Sequence, residues 1–132
     1  MKAETADYLA KARATLSDAE KIAAVPVPHV AAREAYYAAY HAAEAYIFEQ
    51  TGKVAITHRG VRGEFGRLAR REPRIGRELT RFLATAYQLK ATADYGIGPA
   101  VAPISADQAT AAIAIARRFI DTVTQLLPPG TP

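Results

Sequence analysis

Apolar residues recur every three or four positions along most of the chain, which is the spacing of helices that bury one face. Proline and glycine interrupt this pattern at residues 26–28, 52, 96–99 and 128–129. Proline removes a hydrogen bond from a helix, and glycine often follows its last turn. The pattern predicts five helices, at about residues 5–24, 29–50, 58–71, 74–94 and 106–127.

No run of alternating apolar and polar residues predicts a strand, and the connections between the helices are short. We therefore expect an all-α fold, with four long helices in an up-and-down bundle and a short basic helix attached. The length of 132 residues suits one domain over residues 1–132, with a disordered tail at 128–132. Thr57 is a candidate N-cap, and Ser105 with Gln108 forms a candidate capping box.

Composition excludes several classes of site. The chain has no cysteine, which excludes disulfides, thiolate metal sites and cysteine nucleophiles. It has three histidines and neither a glycine-rich phosphate loop nor a His-Glu-x-x-His motif, so we expect no metal and no cofactor. Acidic residues near the start argue against a signal peptide, and no apolar run is long enough to span a membrane. The sequence predicts a cytoplasmic protein.

Positive charge is concentrated in one segment. The whole chain carries a formal charge of +4, whereas residues 59–81 hold eight arginines against three glutamates. The arginines are Arg59, Arg62, Arg67, Arg70, Arg71, Arg74, Arg77 and Arg81. Such a segment attracts phosphate backbones or an acidic partner, and the alternative is a solvated helix face.

The second predicted helix carries a polar stripe bordered by apolar residues. At about 100° per residue, the stripe contains Arg33, Tyr37, Tyr40, His41 and Glu44. One interpretation is an internal hydrogen-bond network, and the other is a polar cleft or dimer seam that binds or cuts RNA. The opposite face is small, with Ala35, Ala39 and Ala42, and suits close approach of a helix. Because the helix is polar on its other side, a monomer has little reason to be self-contained, and we predict a homodimer.

Two further positions are candidates for the same site. Lys90 falls inside the apolar stripe of the fourth predicted helix, Asp94 lies four residues later, and Tyr95 follows at the helix exit. An i,i+4 ion pair explains Lys90 and Asp94 without a function, but an exposed pair does not need a core-facing position. His58 is either an ordinary loop histidine or a site residue next to Arg59 and Arg62.

Four segments in a fixed order carry a resemblance to a known family. They are 33–43 (REAYYAAYHAA), 58–61 (HRGV) followed by Phe65, 87–96 (YQLKATADYG) and 116–119 (ARRF). Together they resemble the signature of one subgroup of HEPN proteins associated with nucleotidyltransferase toxin–antitoxin modules. The resemblance implies a bundle of four to five helices that usually dimerises, with polar residues from both subunits along a shared cleft.

The resemblance also implies a function. Many HEPN proteins are metal-independent ribonucleases that use an arginine and a histidine separated by four to six residues. Many are neutralised by a nucleotidyltransferase-fold antitoxin, which in some systems adenylylates a tyrosine beside that motif. In this chain Lys90 stands in place of the arginine and no histidine follows it up to Tyr95, so cleavage would need His41 or His58.

Two functions follow as hypotheses. In the first, the protein is the HEPN component of a prokaryotic toxin–antitoxin or defence module and cleaves or binds RNA. Arg33 and Lys90 would hold the phosphate, and His41 would exchange the proton because an imidazole titrates near neutral pH. In the second, it is a non-catalytic dimeric protein that binds a nucleotidyltransferase-fold partner. The candidate catalytic residues are Arg33, His41, Lys90 and Asp94, and the candidate binding residues are Tyr37, Glu44, His58, Arg59, Arg62 and Tyr95.

Overall fold

The computed structural model describes residues 1–95 and 103–129, except for the side chains of residues 93 and 95, and this part of the chain contains five helices. The helices are α1 (Ala3–Ala23), α2 (Pro28–Thr51), α3 (His58–Ala69), α4 (Arg77–Tyr95) and α5 (Ala106–Leu126). No strand occurs among the described residues, and the all-α prediction is confirmed. The predicted interruption at 96–99 and the end of the tail lie outside the described residues.

The predicted caps fix three of the helix ends. Gly52 adopts a left-handed conformation (φ 79°) after α2, and its N–H donates to the carbonyl of Phe48. The Thr57 hydroxyl accepts from the N–H of Gly60 at 3.0 Å. Ser105 and Gln108 form the capping box, in which each side chain accepts from the backbone N–H of the other residue. These local signals are confirmed because each depends on atoms within a few residues of one another.

The start of α4 differs from the prediction. The helix was expected from residue 74 but begins at Arg77. The Glu72 carboxylate accepts from both the backbone N–H and the guanidinium of Arg74, and the N–H of Ile75 donates to the carbonyl of Glu72. These hydrogen bonds hold residues 72–76 in a turn. Likewise, α3 ends at Ala69, two residues earlier than expected.

Helix α2 lies at the centre of the fold and contacts all four other helices. Its alanines are buried within the single chain, including Ala35, Ala39 and Ala42, which have no exposed surface. Small side chains let neighbouring helices approach closely, so this face is completed by the chain's own helices. The argument for a homodimer from these three alanines is therefore wrong, and dimerisation remains a prediction from the resemblance.

Aromatic packing joins the short helix α3 to the bundle. The fully buried ring of Phe65 stacks on Phe119 of α5 at a centroid distance of 5.0 Å and meets Tyr46 of α2 edge-on at 6.0 Å. This packing places the first turn of α3, with His58, against α2. Within the ranges that the structure describes, no helix is both long enough and apolar enough to cross a membrane.

Candidate functional site

A cluster of aromatic and imidazole rings lies where α2, α3 and α4 meet. We call it the tyrosine–histidine cluster, and its members are Tyr36, Tyr37, Tyr40, His41, His58 and Tyr87. The His58 ring is 4.6 Å from that of Tyr40 and 5.7 Å from those of Tyr36 and Tyr87, centroid to centroid. His58 is therefore in contact with rings from two other helices and lies in the first turn of α3, not in a free loop.

His58 forms a short hydrogen bond to a buried tyrosine. Its Nδ1 lies 2.6 Å from the hydroxyl of Tyr36. Burial raises the pKa of Tyr36, so the phenol keeps its proton. Burial, followed by the charges of Lys90 and Arg62, lowers the pKa of His58, which favours the neutral ring. We assign Tyr36 as the donor because an imidazole nitrogen accepts better than a phenol oxygen, and His58 then carries its own proton on Nε2.

His41 and Glu44 form a second histidine pair, one turn apart on α2. The Nδ1–H of His41 donates to the Glu44 carboxylate at 2.7 Å, and both side chains are mostly buried. A carboxylate in this position fixes the orientation and tautomer of the ring, so its Nε2 is left to accept a proton. The His41 ring stacks at 26° on that of Tyr37. The pair has the geometry of an oriented general base.

Three charged side chains connect α2 to α4. Asp94 accepts from Lys90 at 2.9 Å and from Arg33 at 3.3 Å. The hydrogen bond from Lys90 and then that from Arg33 lower the pKa of Asp94. Lys90 is 8 % exposed, and its ammonium lies 5.9 Å from the centre of the Tyr37 ring. The same tyrosine thus contacts both this ion-pair network and His41.

The arginines of residues 59–81 include some that contact a tyrosine ring or a carboxylate and others that are exposed. The Arg62 guanidinium lies 4.3 Å from the centre of the Tyr87 ring, at the edge of the cluster and not on the open surface. Arg67 pairs with Glu64, and Arg74 with Glu72. Five arginines are exposed and have no ion-pair partner among the described residues: Arg59, Arg70, Arg71, Arg77 and Arg81.

The structure brings together six of the sequence-predicted residues, namely Arg33, Tyr37, His41, Glu44, Lys90 and Asp94, with His58 and Arg62 beside them. Arg59 is exposed on α3, and the side chain of Tyr95 lies outside the described part of the chain. Sequence reasoning missed Tyr36 and Tyr87, although both lie inside the quoted family segments. Their spacing resembled that of ordinary core residues.

The site combines groups that can move a proton with groups that can neutralise charge. Arg33 and Lys90 supply two positive charges near the oriented ring of His41, and the carboxylates of Asp94, Glu44 and Glu34 pair with these cations or with the ring. Within residues 1–95 and 103–129, no group of three or more histidine, aspartate or glutamate side chains is arranged to hold a metal ion. The arrangement offers two cations to an anionic group and an imidazole that can accept a proton next to it.

Comparison with known proteins identifies the family. The model of the HEPN domain matches residues 5–126, which is nearly the whole chain. A comparison with curated proteins gave no significant match. HEPN domains are generally associated with ribonucleases and with toxin–antitoxin or defence modules. The match agrees with the helical bundle, and this chain belongs to the HEPN domain family.

Proposed function

We propose that this protein is the HEPN component of a prokaryotic toxin–antitoxin or defence module and cleaves RNA without a metal ion. One observation supports the proposal above the others: the oriented His41–Glu44 pair and the Lys90 ammonium contact the same ring, that of Tyr37. RNA cleavage through its own 2′-hydroxyl requires a base next to a cation that neutralises phosphate.

Each residue has a defined role in the proposed reaction. His41 takes the proton of the 2′-hydroxyl through Nε2, and the oxygen attacks the adjacent phosphorus. The bond from phosphorus to the 5′ oxygen breaks, which leaves a 2′,3′-cyclic phosphate and a 5′-hydroxyl whose proton comes from water. His41 then releases its proton to solvent. Lys90 and Arg33 neutralise the phosphate, and Asp94 is a positioning residue that holds both cations.

The test is cleavage of a generic single-stranded RNA by purified protein in EDTA. His41→Ala and Glu44→Gln should each lower the cleavage rate by about a hundredfold or more, the usual contribution of an oriented general base. The matched control is His29→Ala, because His29 is exposed at the start of α2 and makes no contact with the site. No cleavage by the wild-type protein, or equal cleavage by His41→Ala, would contradict the proposal.

A specific observation favours a second candidate, a non-catalytic protein that binds a nucleotidyltransferase-fold partner. Both site cations already share the Asp94 carboxylate, so they are neutralised in part before any phosphate arrives. The five exposed arginines would then dock an acidic partner. This candidate expects no cleavage and little RNA binding even at low salt. If Arg59 and Arg70 instead contact RNA phosphates, the affinity for RNA falls steeply as the salt concentration rises. Replacing both arginines with alanine then reduces the slope of log affinity against log salt concentration by about one to two units.

The proposed assembly is a cytoplasmic homodimer of single-domain chains. HEPN domains often dimerise, which is the basis for this part of the proposal. Light scattering at micromolar concentration should give twice the chain mass of 14.2 kDa. A mass equal to that of one chain would contradict this part of the proposal.

A further inference from the structure

A partly apolar groove lies beside the connection between α2 and α3, and its lining contains no member of the tyrosine–histidine cluster. We call it the Ile56 groove. It has a volume of about 810 Å³, and it is lined by Thr51, Lys53, Val54, Ala55, Ile56, Gly60, Glu64 and Arg67. Ile56 is 98 % exposed. Val25, at 53 %, is the only other exposed large apolar side chain among the described residues. A single exposed apolar side chain is common at protein surfaces, but Ile56 lies in the lining of a groove together with Val54 and Ala55.

The backbone around Ile56 is held by specific contacts. The Thr51 hydroxyl hydrogen-bonds to the backbone of Lys53, directly after the left-handed Gly52. The connection packs so closely on α3 that a Cβ on Gly60 would lie 2.7 Å from that of Ala55. Only glycine fits there. The exposure of Ile56 therefore results from a defined loop geometry, and a preorganised loop loses little entropy when it binds a partner.

Charge around the groove is positive. Lys53 and Arg67 line it against one carboxylate, that of Glu64, which already pairs with Arg67 at 2.6 Å. Arg59, next to Gly60, adds an exposed positive charge without an ion-pair partner among the described residues. An occupant that approaches this surface is favoured if it carries aspartate or glutamate around an apolar centre.

The chemistry of the lining distinguishes a protein from a nucleic acid. RNA-binding surfaces use aromatic rings or arginine planes on which bases stack, whereas the lining of the Ile56 groove contains no aromatic residue and its one arginine, Arg67, is paired with Glu64. Protein interfaces combine an apolar centre with a polar, charged rim, and the lining of the groove supplies both kinds of residue. A second copy of this chain is disfavoured because it would bring the positive charges of Lys53 and Arg59 against one another.

We propose that the Ile56 groove is a docking site for another protein, which inserts leucine, isoleucine or phenylalanine side chains flanked by aspartate or glutamate. Ile56 is the apolar anchor, and Lys53 and Arg59 select acidic neighbours. The groove shares no lining residue with the tyrosine–histidine cluster. Docking does not depend on whether the protein cleaves RNA.

The experiment uses a library of displayed 16-residue peptides selected against the intact protein. Recovered peptides should combine apolar with acidic residues and should bind Ile56→Asp at least about tenfold more weakly, as expected for an interface anchor. Lys53→Glu should weaken binding and reduce its dependence on salt. Val25→Asp is the matched control, since it changes the other exposed large apolar side chain and should keep full affinity. All three substitutions are at exposed positions, so thermal unfolding should be unchanged.

Four results would overturn the proposal. They are failure to recover any peptide that requires Ile56, recovery of mainly basic peptides, conversion of a dimer to a monomer by Ile56→Asp, and loss of affinity for single-stranded RNA in the same variant. The third would assign the groove to a second copy of the chain. The fourth would assign it to a nucleic acid.

Discussion

The Lys90–Asp94 ion pair gives an asymmetric prediction about stability. Asp94→Ala removes the carboxylate shared by Lys90, which is 8 % exposed, and Arg33. Removing one partner of a fully buried pair costs about 3–5 kcal/mol, and an exposed pair is worth about 0–1 kcal/mol. The Asp94 side chain is 18 % exposed, which lies between these limits. We therefore expect Asp94→Ala to lower the free energy of unfolding by about 2 kcal/mol.

The reverse substitution should cost less. Lys90→Met keeps most of the apolar side-chain volume, and Asp94 retains Arg33 at 3.3 Å, so we expect a loss within about 1 kcal/mol. The double variant should be more stable than Asp94→Ala alone, because no buried ammonium has then lost its carboxylate. Urea unfolding at neutral pH, followed by circular dichroism, measures all three. The reasoning is refuted if Asp94→Ala costs less than about 0.5 kcal/mol, or if Lys90→Met is the more damaging change.

The pH dependence of the same variants provides a second check. Lys90 and Arg33 hold the pKa of Asp94 below its ordinary value of 3.8. The contribution of Asp94 to stability is therefore present above pH 3.8 and is lost as the pH falls through the lower pKa of the folded state. Asp94→Ala should lack this acid-dependent loss. An identical acid response in both proteins would contradict the assigned pairing.

Four further substitutions test the fold and the cluster. Burial and neighbouring cations hold the pKa of His58 below its ordinary value of 6.5. The contribution of His58 to stability is therefore present above pH 6.5 and is lost at lower pH. The urea midpoint of His58→Gln should change less between about pH 7.5 and 5 than that of the wild type. Phe65→Ala should cost about 3–5 kcal/mol in urea unfolding, because the ring is fully buried, and a loss under 1 kcal/mol would contradict the packing. Gly60→Ala should lower the melting temperature, because its Cβ would meet that of Ala55, whereas Gly63→Ala meets nothing within 4 Å and should stabilise α3 by about 0.5–1 kcal/mol. Equal melting temperatures for the two alanine variants would count against the close approach of the loop.

The local features of the fold were predictable from the sequence. The period of apolar residues gave all five helices, and short-range signals gave the caps at Gly52, Thr57 and Ser105. The error at the start of α4 has the same local scale. Glu72 bonds to Arg74 and holds a turn that an apolar period does not reveal.

The candidate site was predicted only in part. Lys90 and His41 interrupt the apolar pattern of their helices, and the sequence therefore indicated them as candidate site residues. Tyr36 was not visible, because a buried tyrosine fits an apolar stripe equally well with or without a partner. Its hydrogen bond to His58 joins residues 22 positions apart, and no pattern within one helix contains that distance.

The sequence by itself therefore determined the helices, their caps and the presence of polar residues on faces that pack. These properties depend on interactions within one or two helical turns, where the number of residues between two positions determines their distance and direction in the structure. Only the tertiary structure decided which partners those polar residues have. It placed Ala35, Ala39 and Ala42 in the core of a single chain, enclosed His58 between α2 and α4, and left Ile56 exposed. Such outcomes depend on how the helices pack across gaps of tens of residues, and the period of one helix carries no information about the rotation and position of its neighbours.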